Sequence, residues 1–180
     1  MKLKFSGLCV SVLWLLLLDT CGQVNWELSD PKQSKEVREK WLRETRDFLE
    51  RAEEFTVFSL DPVPWNWKPK KEQKRTPKSE FHGYIELGKI HLPRSAERTN
   101  LVAAFIEGIA NGRGYSACFE PRHGLRAIQG TNTVELVICY SCKQVYSYSN
   151  SRTNRIFHTT ARPVHEFTVL LKKAKIPLAK

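Results

Sequence analysis

The sequence predicts an α+β fold: an antiparallel sheet of about five strands with two helices packed on it, preceded by an N-terminal amphipathic helix. Two observations carry this. Apolar residues recur at steps of three and four over 31–55, 95–111 and 163–174, so helices flank and interrupt the strands. Between them lie β-rich runs that follow one another through short polar turns, which implies an antiparallel sheet.

The first helix opens at Asp30-Pro31, a capping residue followed by a proline at the position where its missing N–H costs nothing. Val37, Trp41, Thr45, Phe48, Ala52 and Phe55 form one apolar face, and mixed charges cover the others. A short β run follows at 56–60. Residues 61–80 hold four prolines and six basic residues and read as an extended surface loop.

The stretch 81–92 reads as one strand. Ile85 and Leu87 share one parity, Ile90 and Leu92 the other, so a bulge at Gly88 or Lys89 is expected to reset the phase. Ser95 caps the second helix, whose inward residues are Leu101, Val102, Phe105 and Ile109. Asn111-Gly112 ends it, with Gly112 suited to a left-handed position. A strand is expected at 115–119, broken at Glu120-Pro121 and resumed at 125–128. After a turn at 129–132, its partner runs over 133–140 and extends through Val145, Tyr146 and Tyr148. A last strand covers 156–160. Pro163 opens the closing helix, with Val164, Phe167, Leu170, Leu171 and Ala174 inward.

Ahead of these elements stands a leader. Lys2 and Lys4 precede an apolar run over 8–18 that includes Trp14 and the leucines 15–18. A bilayer span needs about 20 apolar residues, so this run reads as an export signal. Thr20 and Gly22 place small residues for cleavage before Gln23. The expected organisation is a signal peptide over 1–22, a tether and helix over 23–55, and an α+β domain over 56–180 with the basic Pro/Trp loop at 61–80. The expected location is outside the cytoplasm, secreted or periplasmic. Two alternatives stand beside it: a lipid on Cys21, for which Asp19 and Thr20 make a poor signal, and an uncleaved N-terminal anchor. No membrane span is expected beyond the leader.

The formal net charge is +10, and +9 once Lys2, Lys4 and Asp19 leave with the leader. A basic balance favours anionic partners, although the basic residues are dispersed along the chain. Trp65 and Trp67, interleaved with Lys68, Lys70, Lys71, Lys74 and Arg75, have the composition that stacks bases and holds phosphates. The plainer reading is a basic loop whose tryptophans pack on the body.

The chemistry concentrates in 118–142. Cleavage leaves three cysteines, Cys118, Cys139 and Cys142. In an exported chain an odd count means one disulfide and a free thiol, a metal site, or an intermolecular bond. Cys139-x-x-Cys142 with Cys118 and His123 makes a Cys3His set of the kind zinc takes, provided a turn near Tyr140-Ser141 brings the CxxC thiols together. A structural disulfide from Cys118 to Cys139 or Cys142 would pin adjacent strands. A reactive thiol is the third reading: the CxxC as a dithiol, or Cys118 activated by His123 and Arg122. Arg122 and Arg126, beside Gly124, suit a phosphate or carboxylate, or else pair with Glu120 and Glu135. His82, His91, His158 and His165 have no ligand-spaced partners.

With those residues in view, the chain resembles a family of bacterial exported proteins of unknown function. The resemblance rests on Phe-His-Gly-Tyr at 81–84, Ala-Cys-Phe-Glu-Pro-Arg-His-Gly-Leu-Arg at 117–126 and Val-Ile-Cys-Tyr-Ser-Cys at 137–142, and it covers roughly residues 55–178. It implies an autonomous domain and brings no activity. The reading is therefore an exported binding or structural module with a Cys/His staple, disulfide or zinc, leaning away from an enzyme. The alternatives are a thiol- or metal-dependent enzyme at Cys118, His123, Cys139 and Cys142, and a binder of anionic polymers through its basic surface.

Overall fold

The computed structural model describes residues 35–68, 79–150 and 152–179. Its elements are α1 (Lys35–Arg51), β1 (Glu54–Pro64), a single 3-10 turn (Trp65–Trp67), β2 (Glu80–Phe81), β3 (Tyr84–His91), α2 (Ala96–Ala110), β4 (His123–Gln129), β5 (Asn132–Cys139), β6 (Gln144–Ser149), β7 (Arg152–His158) and α3 (Val164–Lys173). The architecture is α+β, as expected. The strands form one antiparallel sheet in the order β2-β3-β1-β4-β5-β6-β7.

The sheet has seven strands where about five were expected. Two expected strands are each cut in two by a tight turn. His82 and Gly83, both at positive φ, fold 81–92 into β2 and β3. Lys143, also at positive φ, reverses the chain between β5 and β6. Neither turn contains the Asn-Gly or Asp-Gly pair that marks a hairpin in sequence. The strand expected at 115–119 is absent: 112–122 is irregular and β4 begins at His123.

Other expectations shift by one to four residues. The β3 bulge falls on Leu87, since Ser59 faces Gly88 and Leu60 faces Glu86. Strand β1 runs on through Pro62 and Pro64, which lie past the part of the strand paired on both sides, with a register shift between Leu60 and Pro64. Helix α1 stops at Arg51, so Phe55 belongs to β1, and the first-helix start at Asp30-Pro31 lies outside the described residues. Gly112 does not take a left-handed conformation. It is needed because the His158–Thr159 backbone passes against it, and a Cβ there would meet His158 O at 2.3 Å.

The helices share one face of the sheet. Leu101, Val102, Phe105 and Ile109 of α2 and Phe167 and Leu171 of α3 are buried against Phe55, Val57, Leu125, Ala127, Leu136 and Ile138. Each such side chain contributes about 2 kcal/mol of transfer free energy. Helix α1 joins this core through Leu49, with Ala52 just past its end, and Trp41 stacks on Phe157 at 3.8 Å. Ser95 caps α2, accepting the Arg98 N–H as its position in the sequence implies.

The opposite face carries a second, ring-rich cluster: Phe58, Leu60, Phe81 and Val137, with Tyr84, Phe119, Tyr146 and Tyr148 against it. Gly124 lets this cluster close. A Cβ there would lie 2.8 and 2.9 Å from the Phe81 ring and 3.3 Å from Phe58 Cβ. Phe81 is stacked on Phe58, and both are buried, so neither ring has room to yield. Gly124→Ala is expected to lower stability by about 1–3 kcal/mol in urea titration. An unchanged midpoint would mean that the ring stack gives way freely.

Candidate functional site

The cysteine stretch builds its site at one end of the sheet. Strand β5 alternates: Leu136 and Ile138 face the helices, while Glu135 and Val137 face the rings. Cys139 follows on the ring side. The chain then turns through residues 140–143, and Cys142 comes back to bond with Cys139. The turn required near Tyr140-Ser141 is thus present, and it closes a disulfide between the two CxxC cysteines. Both are fully buried.

Cys118 is not a partner in that bond, contrary to the expected pairing with Cys139 or Cys142. It is free and exposed, with its sulfur 3.8 Å from Cys142 Sγ. The irregular segment around it is tied to the turn. Ser116 N–H donates to Cys142 O (3.1 Å), Gln144 Nε2 donates to Ser116 O (2.9 Å), and Glu120 N–H reaches Cys142 Sγ (3.4 Å). Around the other sulfur, Cys142 N–H donates to Cys139 Sγ (3.1 Å) and Ser141 Oγ lies 3.3 Å away.

His123 is not part of this cluster. It shares the strand parity of Leu125 and Ala127 and points to the helix-covered face, where its ring lies 5.5 Å from those of Tyr140 and Phe167. Burial, with the nearby Arg122 guanidinium second, pushes its pKa down to about 4. The Cys3His zinc set therefore does not assemble: two of its thiols are spent on each other and its imidazole faces the other way. Among the described residues no group of three or more His, Cys, Asp and Glu side chains is placed to hold a metal ion. Activation of Cys118 by His123 falls on the same ground.

The two arginines take the pairings that compete with anion binding. Arg126 Nε donates to Glu135 Oε1 at 2.5 Å and its guanidinium lies over the Phe58 and Phe81 rings. Arg122 sits 3.9 Å from the Glu120 carboxylate. Glu135 is also bonded to His82 Nε2 at 2.9 Å. Its carboxyl is held below the usual range chiefly by His82, then by Arg126, while burial works in the opposite sense. His82 in turn stacks on Tyr148 at 3.7 Å.

Of the basic loop, Trp67 is 76% exposed and Lys68 pairs with Asp61 at 2.7 Å. Trp67 lines a cleft with Pro64, Asn66, Glu80, His82, Gly83 and Tyr84. The Trp65 side chain and Lys70, Lys71, Lys74 and Arg75 lie outside what is described. Among the described residues Arg122 and Arg126 stand with the carboxylates of Glu120 and Glu135.

Sequence reasoning missed the ring face. Phe119 stacks on Tyr146 at 4.0 Å, and Tyr84 stands 6.4 Å from Phe119. Burial, then the neighbouring Tyr148 and Tyr146, raises the Tyr84 phenol to about 12, so it stays a hydrogen-bond donor in neutral solution. The available signals were the Tyr-Ser-Tyr alternation at 146–148 and the Phe-His-Gly-Tyr run. His82 carried none, since its partner Glu135 lies 53 residues away.

No helix among the described residues is long and apolar enough to cross a membrane. The fold and site thus define an α+β domain with a buried CxxC disulfide and a third cysteine in contact with it. Comparison with known proteins finds no matching family model, no similar curated protein and no similar solved structure.

Proposed function

We propose that the protein is an exported binding or structural module in which the Cys139–Cys142 bond is a covalent staple of the β5–β6 turn. One observation supports this above the others: the disulfide is fully buried where the turn must hold two strands in register. Export follows from the leader, and an oxidising destination is where such a bond persists. The resemblance to bacterial exported proteins is in keeping with this. The base suggested for Cys118 is out of place: His123 points to the helix-covered face of the sheet.

The staple acts locally. A bond across three residues removes little freedom from the unfolded chain, and loop closure credits it with about 2 kcal/mol. Its main effect is to fix the turn against which the 116–120 segment lies. Intact mass and alkylation without reductant, on the mature exported protein, test this reading. The expected mass is that of a chain beginning at Gln23, two hydrogen atoms below the fully reduced value, with one alkylated cysteine per chain. Three alkylated cysteines, or a chain that retains residues 1–22, would overturn it.

A further inference from the structure

A staple within a four-residue turn does not require a third sulfur beside it, yet Cys118 Sγ lies 3.8 Å from Cys142 Sγ. A disulfide needs about 2 Å. The remaining gap is small for an exposed side chain on an irregular segment, and bonds from Ser116 and Glu120 to Cys142 hold the backbone on both sides of Cys118 close by. We propose that these three cysteines form a thiol–disulfide exchange centre in which the bond moves between Cys139–Cys142 and Cys118–Cys142. The proposal rests on the Cys139–Cys142 bond of the staple reading.

The step balances within the molecule. Cys118 gives up its proton to solvent, and its thiolate attacks Cys142 Sγ. The Cys118–Cys142 bond forms as the Cys139–Cys142 bond breaks, and the bonding electron pair leaves on Cys139 sulfur, which takes up a proton. One thiol and one disulfide stand on each side, so no oxidant or reductant is needed.

The leaving sulfur has the shorter contacts: Glu120 N–H and Ser141 Oγ lie 3.4 and 3.8 Å from Cys142 Sγ, against 3.1 and 3.3 Å for the two groups at Cys139 Sγ. Cys142 N–H and the Ser141 hydroxyl both lie within hydrogen-bond reach of Cys139 Sγ and would receive its charge as it departs. A lower leaving-group pKa speeds exchange. The product bond spans 24 residues rather than three and constrains the unfolded chain more. It also moves the free thiol from an exposed position to a fully buried one. Exchange is thus a covalent switch that hides the reactive thiol and anchors Phe119, the next residue, on the ring face.

The wild-type mature chain tests this. After incubation at pH 8 without reductant, samples are acid-quenched, alkylated in denaturant, and the labelled cysteine is located by peptide mass. The label is expected on Cys118 and on Cys139, with the Cys139 share on the order of one tenth or more at equilibrium. Label on Cys118 alone at every time overturns the exchange and leaves the staple standing, whereas three labels per chain overturn both. In a second arm, refolded and oxidised Cys139→Ser is expected to form Cys118–Cys142 and take no label. Two labels on that variant overturn the proposal. The wild-type arm decides on its own if the variant does not fold.

Discussion

Arg98→Ala is expected to cost about 3–5 kcal/mol, much of the 5–15 kcal/mol that holds an ordinary domain together. Arg98 is 2% exposed, a burial that charged residues almost never show without partners. Its partners are carbonyls at the end of α1, Leu49 within the helix and Ala52 just past it. Nε and Nη2 donate to Leu49 O, and Nη2 also reaches Ala52 O at 3.0 Å. Those carbonyls have no donors within their own helix. The guanidinium also lies over the Phe55 ring, 4.6 Å from its centroid.

Position explains the sign. Arg98 is in the first turn of α2, where the helix dipole disfavours a cation, and at the C-terminal end of α1, where it is favoured. Burial lowers its pKa, with Arg94 adding to the effect and Glu50 opposing it, so these bonds and the Glu50 carboxylate together sustain the charge. Alanine would leave the carbonyls of α1 without their donors and open a cavity, two costs that add. Arg98→Lys, a point charge without the planar fork, is expected to recover only part of the loss. Urea midpoints of the three proteins measure it. A loss under about 1 kcal/mol for alanine would show that solvent satisfies the α1 carbonyls and that the pairing is dispensable.

Arg98 also marks where sequence reading stops. The helix carrying it was legible from Leu101, Val102, Phe105 and Ile109, because a 3.6-residue period survives in one dimension. A charge within that helix reads as solvated surface, and nothing local signals that Leu49, 49 residues earlier, brings it carbonyls. The disulfide divides the same way. That Cys139 and Cys142 needed a turn was readable from strand alternation. Which of three cysteines stays free depends on whether 115–119 is a strand, and Gly112, where the helix ends as expected, is required by a backbone crossing and not by a left-handed turn. His123 was grouped with the cysteines by proximity along the chain. One step of strand parity sends its ring to the other face, and that step is set by where β4 begins.

The second large effect follows from that imidazole. Stability is expected to fall by about 3 kcal/mol between pH 6.5 and pH 4 through His123 alone. Its ring is packed beside Tyr140 and Phe167, and burial, then Arg122, puts its folded pKa at about 4 against an ordinary value of 6.5. In that window the unfolded chain binds a proton that the folded one refuses, so stability rises with pH and is lost on acidification. The groups around it do not relieve this. Arg122 is a like charge, Tyr140 stays protonated because burial raises it well above its usual value, and the Glu166 carboxylate of α3 acts on Tyr140. Below about pH 4.3 a second loss begins with opposite chemistry. Glu135, held low by His82 and Arg126, stabilises the fold while ionised, and that contribution disappears as the pH falls through its folded pKa. His123→Phe keeps a ring among rings and removes the proton site. Its urea midpoint should be nearly flat from pH 6.5 to 4.5 and then drop with Glu135, while the wild type declines throughout. If the variant kept the wild-type slope above pH 4.5, the imidazole would not be the group that makes this fold acid-sensitive.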